Sequence, residues 1–171
     1  YGAAGAGADD AGAIAAVAER LLAAKHPVLI TAYAGRNRRA PGVIEELARL
    51  AGIRVFEFNP AYLNLSRASP CWSGLLPGRH VAEADVGLLV DVDVPWIPSN
   101  TRENPQTWWA HIDVDVVKER FPIWGFPSNL RLPGDSVLIL GQLLEALKAR
   151  ATPAFRDGAA KRLEAMAREH G

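Results

Sequence analysis

Cysteine is almost missing from this chain. Cys71 stands alone, which excludes an internal disulfide and any zinc cluster built on cysteines. A surplus of either charge is missing too, with 19 lysines and arginines set against 19 acids. Composition therefore gives no support for a nucleic-acid or anionic-membrane partner, although a local basic patch stays open. Apolar runs such as Val137–Leu140 fall far short of a membrane span. Residues 1–9 are rich in glycine and alanine but have neither a basic start nor an apolar segment, so they read as a flexible lead-in and not as a signal peptide. These absences fit an intracellular, cytoplasmic origin. The chain starts without Met and stops on a helical stretch, so both ends are read as cut from something longer.

Familiar catalytic signatures are scarce as well. There is no G-x-G-x-x-G fingerprint, and Ser73-Gly74 does not form a G-x-S-x-G elbow. None of His26, His80, His111 and His170 is spaced with another as a metal pair. Cys71 has no local partner to lower its pKa and reads as a buried or incidental thiol.

What is present is one domain of 171 residues, 49% hydrophobic and 22% charged. A helix is expected over Asp10–Ala24, with Ile14, Val17, Ala18, Leu21 and Leu22 as its apolar stripe and Asp9 or Asp10 as its cap. Strand Val28–Tyr33 follows, then a Gly35–Arg39 loop and a helix that Pro41 opens and Gly52 ends. Further strands are expected at Arg54–Phe58, Val86–Val92 and Trp108–Val114, with a short extended piece at Asn129–Leu132. Short and long helices are expected at Arg79–Glu83 and Ser136–Ala149, the second capped by Asp135, and 151–171 reads as a helical linker. Strands alternating with helices predict an α/β, Rossmann-like, doubly wound parallel sheet of about five to six strands, with helices on both faces. Asn59–Arg79 has no periodicity and is long enough to read as a binding or docking loop.

In such a sheet, ligands bind outside the carboxyl ends of the strands. Gly35 and Arg36 lie there and can pair with a phosphate or form a plain basic turn. Asp91 and Asp93 close the third strand, where a spacing of two puts both carboxylates on one face to share a metal or a ribose. Asp113 and Asp115 repeat the pattern beside His111. Both pairs also read as solvated strand ends, since no third ligand is specified. Trp96 and Trp124, in Pro-flanked loops, are open to docking or to local packing.

The order of segments resembles the central domain of thiamine-diphosphate-dependent enzymes. Leu21–Ile30 is similar to the family's opening helix and "A-x-x-P-V-I" strand, and Leu47–Val55 to "L-A-E-x-L-G-I-P-V". Glu83–Val90 resembles "E-A-D-L-V-L-x-V-G", and Ala110–Asp115 resembles "I-H-I-D-I-D-P". The segments Asp91–Pro98 and Trp124–Pro127 resemble an acetolactate-synthase-like subgroup.

This resemblance covers 12–149 and implies a three-domain parent acting on 2-keto acids by decarboxylation or carboligation. Residues 10–150 are its middle, non-catalytic domain, and 151–171 leads toward a missing C-terminal domain. The thiamine diphosphate and magnesium of the parent belong to the N- and C-terminal domains, which are the implied partners, in a homodimer or homotetramer. No catalytic residue and no metal ligand is implied here, nor is a nucleic-acid or membrane partner. In the family the middle domain holds FAD, ADP or nothing, and the matching positions are Gly35, Arg36, Asp91, Asp93, Asp113 and Asp115. The Gly-Arg-Asn turn and the Asp-Val-Asp-Val-Pro-Trp segment depart from the FAD-binding pattern. The alternative reading is a stand-alone adenine-nucleotide-binding or interaction module.

Overall fold

The computed structural model describes residues 10–118, 120–121 and 125–170. The lead-in over 1–9, the Asp9 choice of cap, Trp124 and the last linker residue lie outside the described residues. Near-continuous apolar runs build the sheet: β1 (Pro27–Thr31) and β3 (Val86–Val90) are buried at every position, as strands covered on both faces must be. With β2 (Arg54–Glu57), β4 (Trp108–Asp113) and β5 (Leu130–Pro133) they form one five-stranded sheet in the order β2-β1-β3-β4-β5. Every neighbouring pair is parallel. The expected doubly wound α/β fold is therefore what the chain adopts.

Local chemistry sets the helix ends. The Asp10 carboxylate accepts from the Ala13 N–H at 2.8 Å to start α1 (Ala11–Ala23). Pro41 lies in the first turn of α2 (Ala40–Ala51), which ends at Gly52 with φ 59°. A short α3 (Arg79–Glu83) precedes β3. Asp135 caps α4 (Ser136–Arg150) through the N–H groups of Val137 and Leu138. The expected linker is α5 (Pro153–His170), which lies back on α2 and buries Phe155, Ala159 and Met166. Among the described residues no helix is long and apolar enough to cross a membrane.

The two faces of the sheet are covered very unequally. Leu29, Val55, Leu88, Val90, Ala110 and Ile112 meet α1, α2, α4 and α5 in the larger core. The opposite face carries Val28, Ile30, Phe56, Leu89 and Trp109, covered by α3 and by the loop that bears Trp96. No helix joins β3 to β4, so tryptophans do the covering: the Trp96 ring lies 5.1 Å from that of Trp109 and edge-on to Phe126 at 5.2 Å. Local packing is thus the role of Trp96.

The long loop after β2 is ordered by one buried acid. The Glu57 carboxylate accepts from the Asn64 N–H at 2.9 Å, the Asn64 amide at 3.1 Å and the Trp72 indole at 2.9 Å. The loop then runs beside β2, with Val55 and Ser73 N–H groups donating to Cys71 and Val55 carbonyls, each at 2.8 Å. This pairing covers an edge that would otherwise be open to another strand.

Gly87 faces Trp109 across the β3–β4 ladder, and a Cβ placed on it would come within 2.1 Å of the indole ring. Because Trp109 is fully buried, the ring has nowhere to move. Gly87→Ala is expected to destabilise the fold by about 1–3 kcal/mol in urea denaturation. Wild-type stability in that variant would contradict the close packing described for this face.

Candidate functional site

Parallel strands bring their carboxyl ends to one edge, and there the chain buries several acids together. Asp113 ends β4 and is fully buried. Its Oδ2 accepts from the Tyr33 hydroxyl at 2.5 Å and from the Lys118 ammonium at 2.7 Å. Asp93 Oδ1 accepts from Lys118 at 2.8 Å and lies 3.0 Å from the Tyr33 oxygen, whose single proton the two carboxylates share. Lys118 Nζ also lies 2.9 Å from the Tyr33 oxygen, with only 2% of its side chain exposed. Three side chains, at or just beyond the ends of β1, β3 and β4, thus close around one ammonium from the loop that follows β4.

The cluster holds its protons firmly. Burial pulls the Lys118 ammonium toward a lower pKa, but its hydrogen bonds to Asp113 and Asp93 outweigh this and leave it raised. Burial, reinforced by Asp113, pushes the Tyr33 phenol well above its ordinary value. Neighbouring His111 is fully buried and held down at about 4, chiefly by burial. The ammonium and the phenol are therefore donors throughout the neutral range, and the imidazole is uncharged.

The six residues expected at the site are brought to this edge in two groups. Asp93 and Asp113 share Lys118 and Tyr33. Asp91 instead bonds to the Ser136 hydroxyl at the start of α4 and pairs with Arg36 at 3.4 Å. The expectation that Asp91 and Asp93 share one strand face needs correcting. β3 stops at Val90, because Asp91 takes φ 46° and turns its carbonyl to the N–H groups of Ala32 and Tyr33. That same turn ends β1 at Thr31, two residues short of the expected Tyr33.

Gly35 and Arg36 lie in a 3-10 turn, Ala34–Arg36. Gly35 donates to the Asn64 side chain at 2.9 Å, and a Cβ there would be 2.1 Å from the Leu63 carbonyl oxygen. Its lack of a side chain lets the long loop pack close. Arg36 lies over the Tyr33 ring at 5.2 Å. Asp115 accepts from the Lys118 N–H at 2.9 Å and so shapes the turn in which Lys118 sits at φ 56°.

The residues that complete the cluster, Tyr33, Lys118 and Ser136, were not singled out in the sequence. Tyr33 was within reach, since a residue just past a buried parallel strand must reach this edge. Lys118 lies in a stretch without periodicity and gave no signal. Among the described residues no group of three or more His, Cys, Asp or Glu is arranged to hold a metal ion. Both acids available for a shared cation already face an ammonium.

Burial holds the Asp91 carboxyl at about 6 against an ordinary 3.8, opposed by the Ser136 hydrogen bond and raised further by the Asp113 charge. Below 3.8 the group is protonated in both folded and unfolded states and costs nothing. Above 6 it is ionised in both, and the folded state bears a cost on the order of 2–3 kcal/mol. Asp91→Asn keeps the shape and tolerates a left-handed φ. The variant is expected to gain Tm relative to wild type at neutral pH, with the gain fading as pH falls toward 4. Equal loss of Tm at both ends of that range would contradict the assignment.

No protein-family model and no curated protein sequence matches the chain. Solved structures do match. One, from Mycobacterium smegmatis and assigned as a thiamin diphosphate-dependent enzyme, is 25% identical with a TM-score of 0.66 over 81% of this chain and 28% of its own. Another, a thiamine diphosphate-dependent 4-hydroxybenzoylformate decarboxylase from Rhodococcus jostii, is 18% identical with a TM-score of 0.61 over 78% of this chain and 27% of its own. The chain thus spans little more than a quarter of the length of these structures. It has the fold of one domain of thiamine-diphosphate-dependent enzymes.

Proposed function

We propose that the chain is the middle, non-catalytic domain of a cytoplasmic thiamine-diphosphate-dependent enzyme of the acetolactate-synthase type. The full-length parent acts on 2-keto acids by decarboxylation or carboligation, as a homodimer or homotetramer. The observation that carries this reading is the match at a TM-score of 0.66 and 25% identity across 81% of the chain.

The residues present do not fit thiamine diphosphate or its magnesium. No Gly-Asp-Gly…Asn segment occurs in the chain, and the strand-end acids are matched by Lys118 and Arg36. Those groups belong to the flanking domains, and the middle domain holds the flanking domains in register. The four acids among the six site positions already accept hydrogen bonds from this chain's own donors, which supports a parent that needs no FAD or ADP there. Support comes from the pairing itself: an adenine nucleotide would have to displace Arg36 from Asp91 and the ammonium from Asp93. The same pairing weighs against the stand-alone nucleotide module.

Exposed apolar side chains support partners in the same polypeptide. Tyr62, Leu63, Leu75 and Leu76 project from the loop after β2, and Val114, Val117 and Phe121 from the loop after β4. Clusters of this kind mark surfaces that meet other protein.

The full-length protein, given thiamine diphosphate and magnesium, is expected to release carbon dioxide from a 2-keto acid and to purify without bound flavin. The 171-residue chain alone is expected to do neither chemistry nor cofactor binding. A reading frame with no Gly-Asp-Gly…Asn segment beyond Gly171, and no thiamine-dependent turnover, would overturn the proposal.

A further inference from the structure

A second feature lies at the opposite end of the sheet from the strand-end cluster. A cleft of about 400 Å³ opens at the amino ends of β1 and β2, between α3 and the C-terminal half of α5. Its size lies within the range of small-molecule sites. The chain is neutral as a whole, yet Lys25, Arg54, Arg79, Lys161 and Arg162 line this cleft against only Glu83 and Glu169.

Two of these cations are already engaged. Arg54 makes a two-pronged pair with Glu169, both contacts at 2.8 Å. Arg162 donates to the carbonyls of Ala24, Ala51 and Gly52 at 3.2, 2.8 and 3.2 Å, satisfying the last turns of α1 and α2. Among the described residues, no carboxylate lies within 4.0 Å of the charged side-chain groups of Lys25, Arg79 and Lys161, although the Asp85 carboxylate accepts from the backbone N–H groups of Lys25 and His26 at 2.6 and 2.9 Å. Burial holds the His80 imidazole below its ordinary pKa, and the Arg54 and Arg79 charges lower it further against the opposing pull of Glu83 and Glu169. Met166 and Val28 give an apolar lining, and the His80 ring, 5.3 Å from Phe56, gives a flat one.

We propose that this cleft binds a small organic phosphate of about the size of a nucleoside monophosphate, its dianion held by Lys25, Arg79 and Lys161 and its ring lying on the His80 and Met166 side. Three unmatched cations suit a doubly charged group better than a single carboxylate. The site is separate from the strand-end cluster, so its failure would leave the domain assignment standing.

Calorimetric titration of the chain with AMP, adenosine and inorganic phosphate tests the inference. AMP is expected to bind one to one and inorganic phosphate to compete with it. Adenosine and the Arg79→Ala/Lys161→Ala variant are expected to bind about tenfold or more weakly, the loss of a charge-assisted contact or more. Arg156→Ala, which removes an exposed charge elsewhere on α5, is expected to leave AMP binding unchanged, and both variants should keep the wild-type circular dichroism and Tm. Three results would overturn the inference: no binding of AMP or phosphate, AMP binding lost on Arg36→Ala instead, or displacement of AMP by a short polyglutamate peptide of equal affinity.

Discussion

A buried ammonium surrounded by acids is the constraint on which the carboxyl edge of this sheet is built. Parallel strands deliver Asp91, Asp93 and Asp113 to one edge, two of them with no exposure to water. A carboxylate buried without a partner costs several kcal/mol, so each needs a cation or donor nearby. Lys118 supplies one by reaching back from beyond β4 to the ends of β1 and β3. The turn held by Asp115, the left-handed backbone at Lys118 and the placement of Tyr33 all follow from this requirement. Asp91 meets the same need differently, with Ser136 at the start of α4 and Arg36 from the first turn.

The rest of the fold shows how little second-face cover a parallel sheet needs when tryptophan provides it. Four helices cover one face, while α3 and a Trp-bearing loop cover the other. Gly87 is the concession that lets Trp109 lie flat on the ladder. The loop after β2 is ordered by Glu57 and Asn64 but keeps its apolar side chains outward. In the proposed parent, those side chains and the ones beyond β4 are where the flanking domains would rest.

Much of this fold was legible in the sequence, and the reason is periodicity. Apolar runs at 28–30 and 86–90, the caps at Asp10 and Asp135, and Gly52 at a helix end all act locally, so each could be read from its neighbours. Strand ends were less legible. The expected strands ran two residues long at Tyr33 and Val92, because the Asp91 turn that stops both is a contact between strands distant in sequence. The site was half legible for the same reason. Acids at strand ends announce themselves by spacing, whereas their partners come from afar: Lys118 lies 85 residues from Tyr33 and Ser136 lies 45 from Asp91. The basic cleft was invisible, since its cations are scattered from Lys25 to Arg162 and sum to nothing in the overall composition.

The strand-end cluster is most directly tested by nitrogen-detected NMR of the lysine side chains. An ammonium held by Asp93, Asp113 and Tyr33 should give a Lys118 signal whose protons exchange slowly with water at neutral pH, and that signal should move or vanish in Asp113→Asn. A Lys118 ammonium that exchanges as fast as those of exposed lysines would contradict a strand-end cluster closed around it by the protein's own side chains.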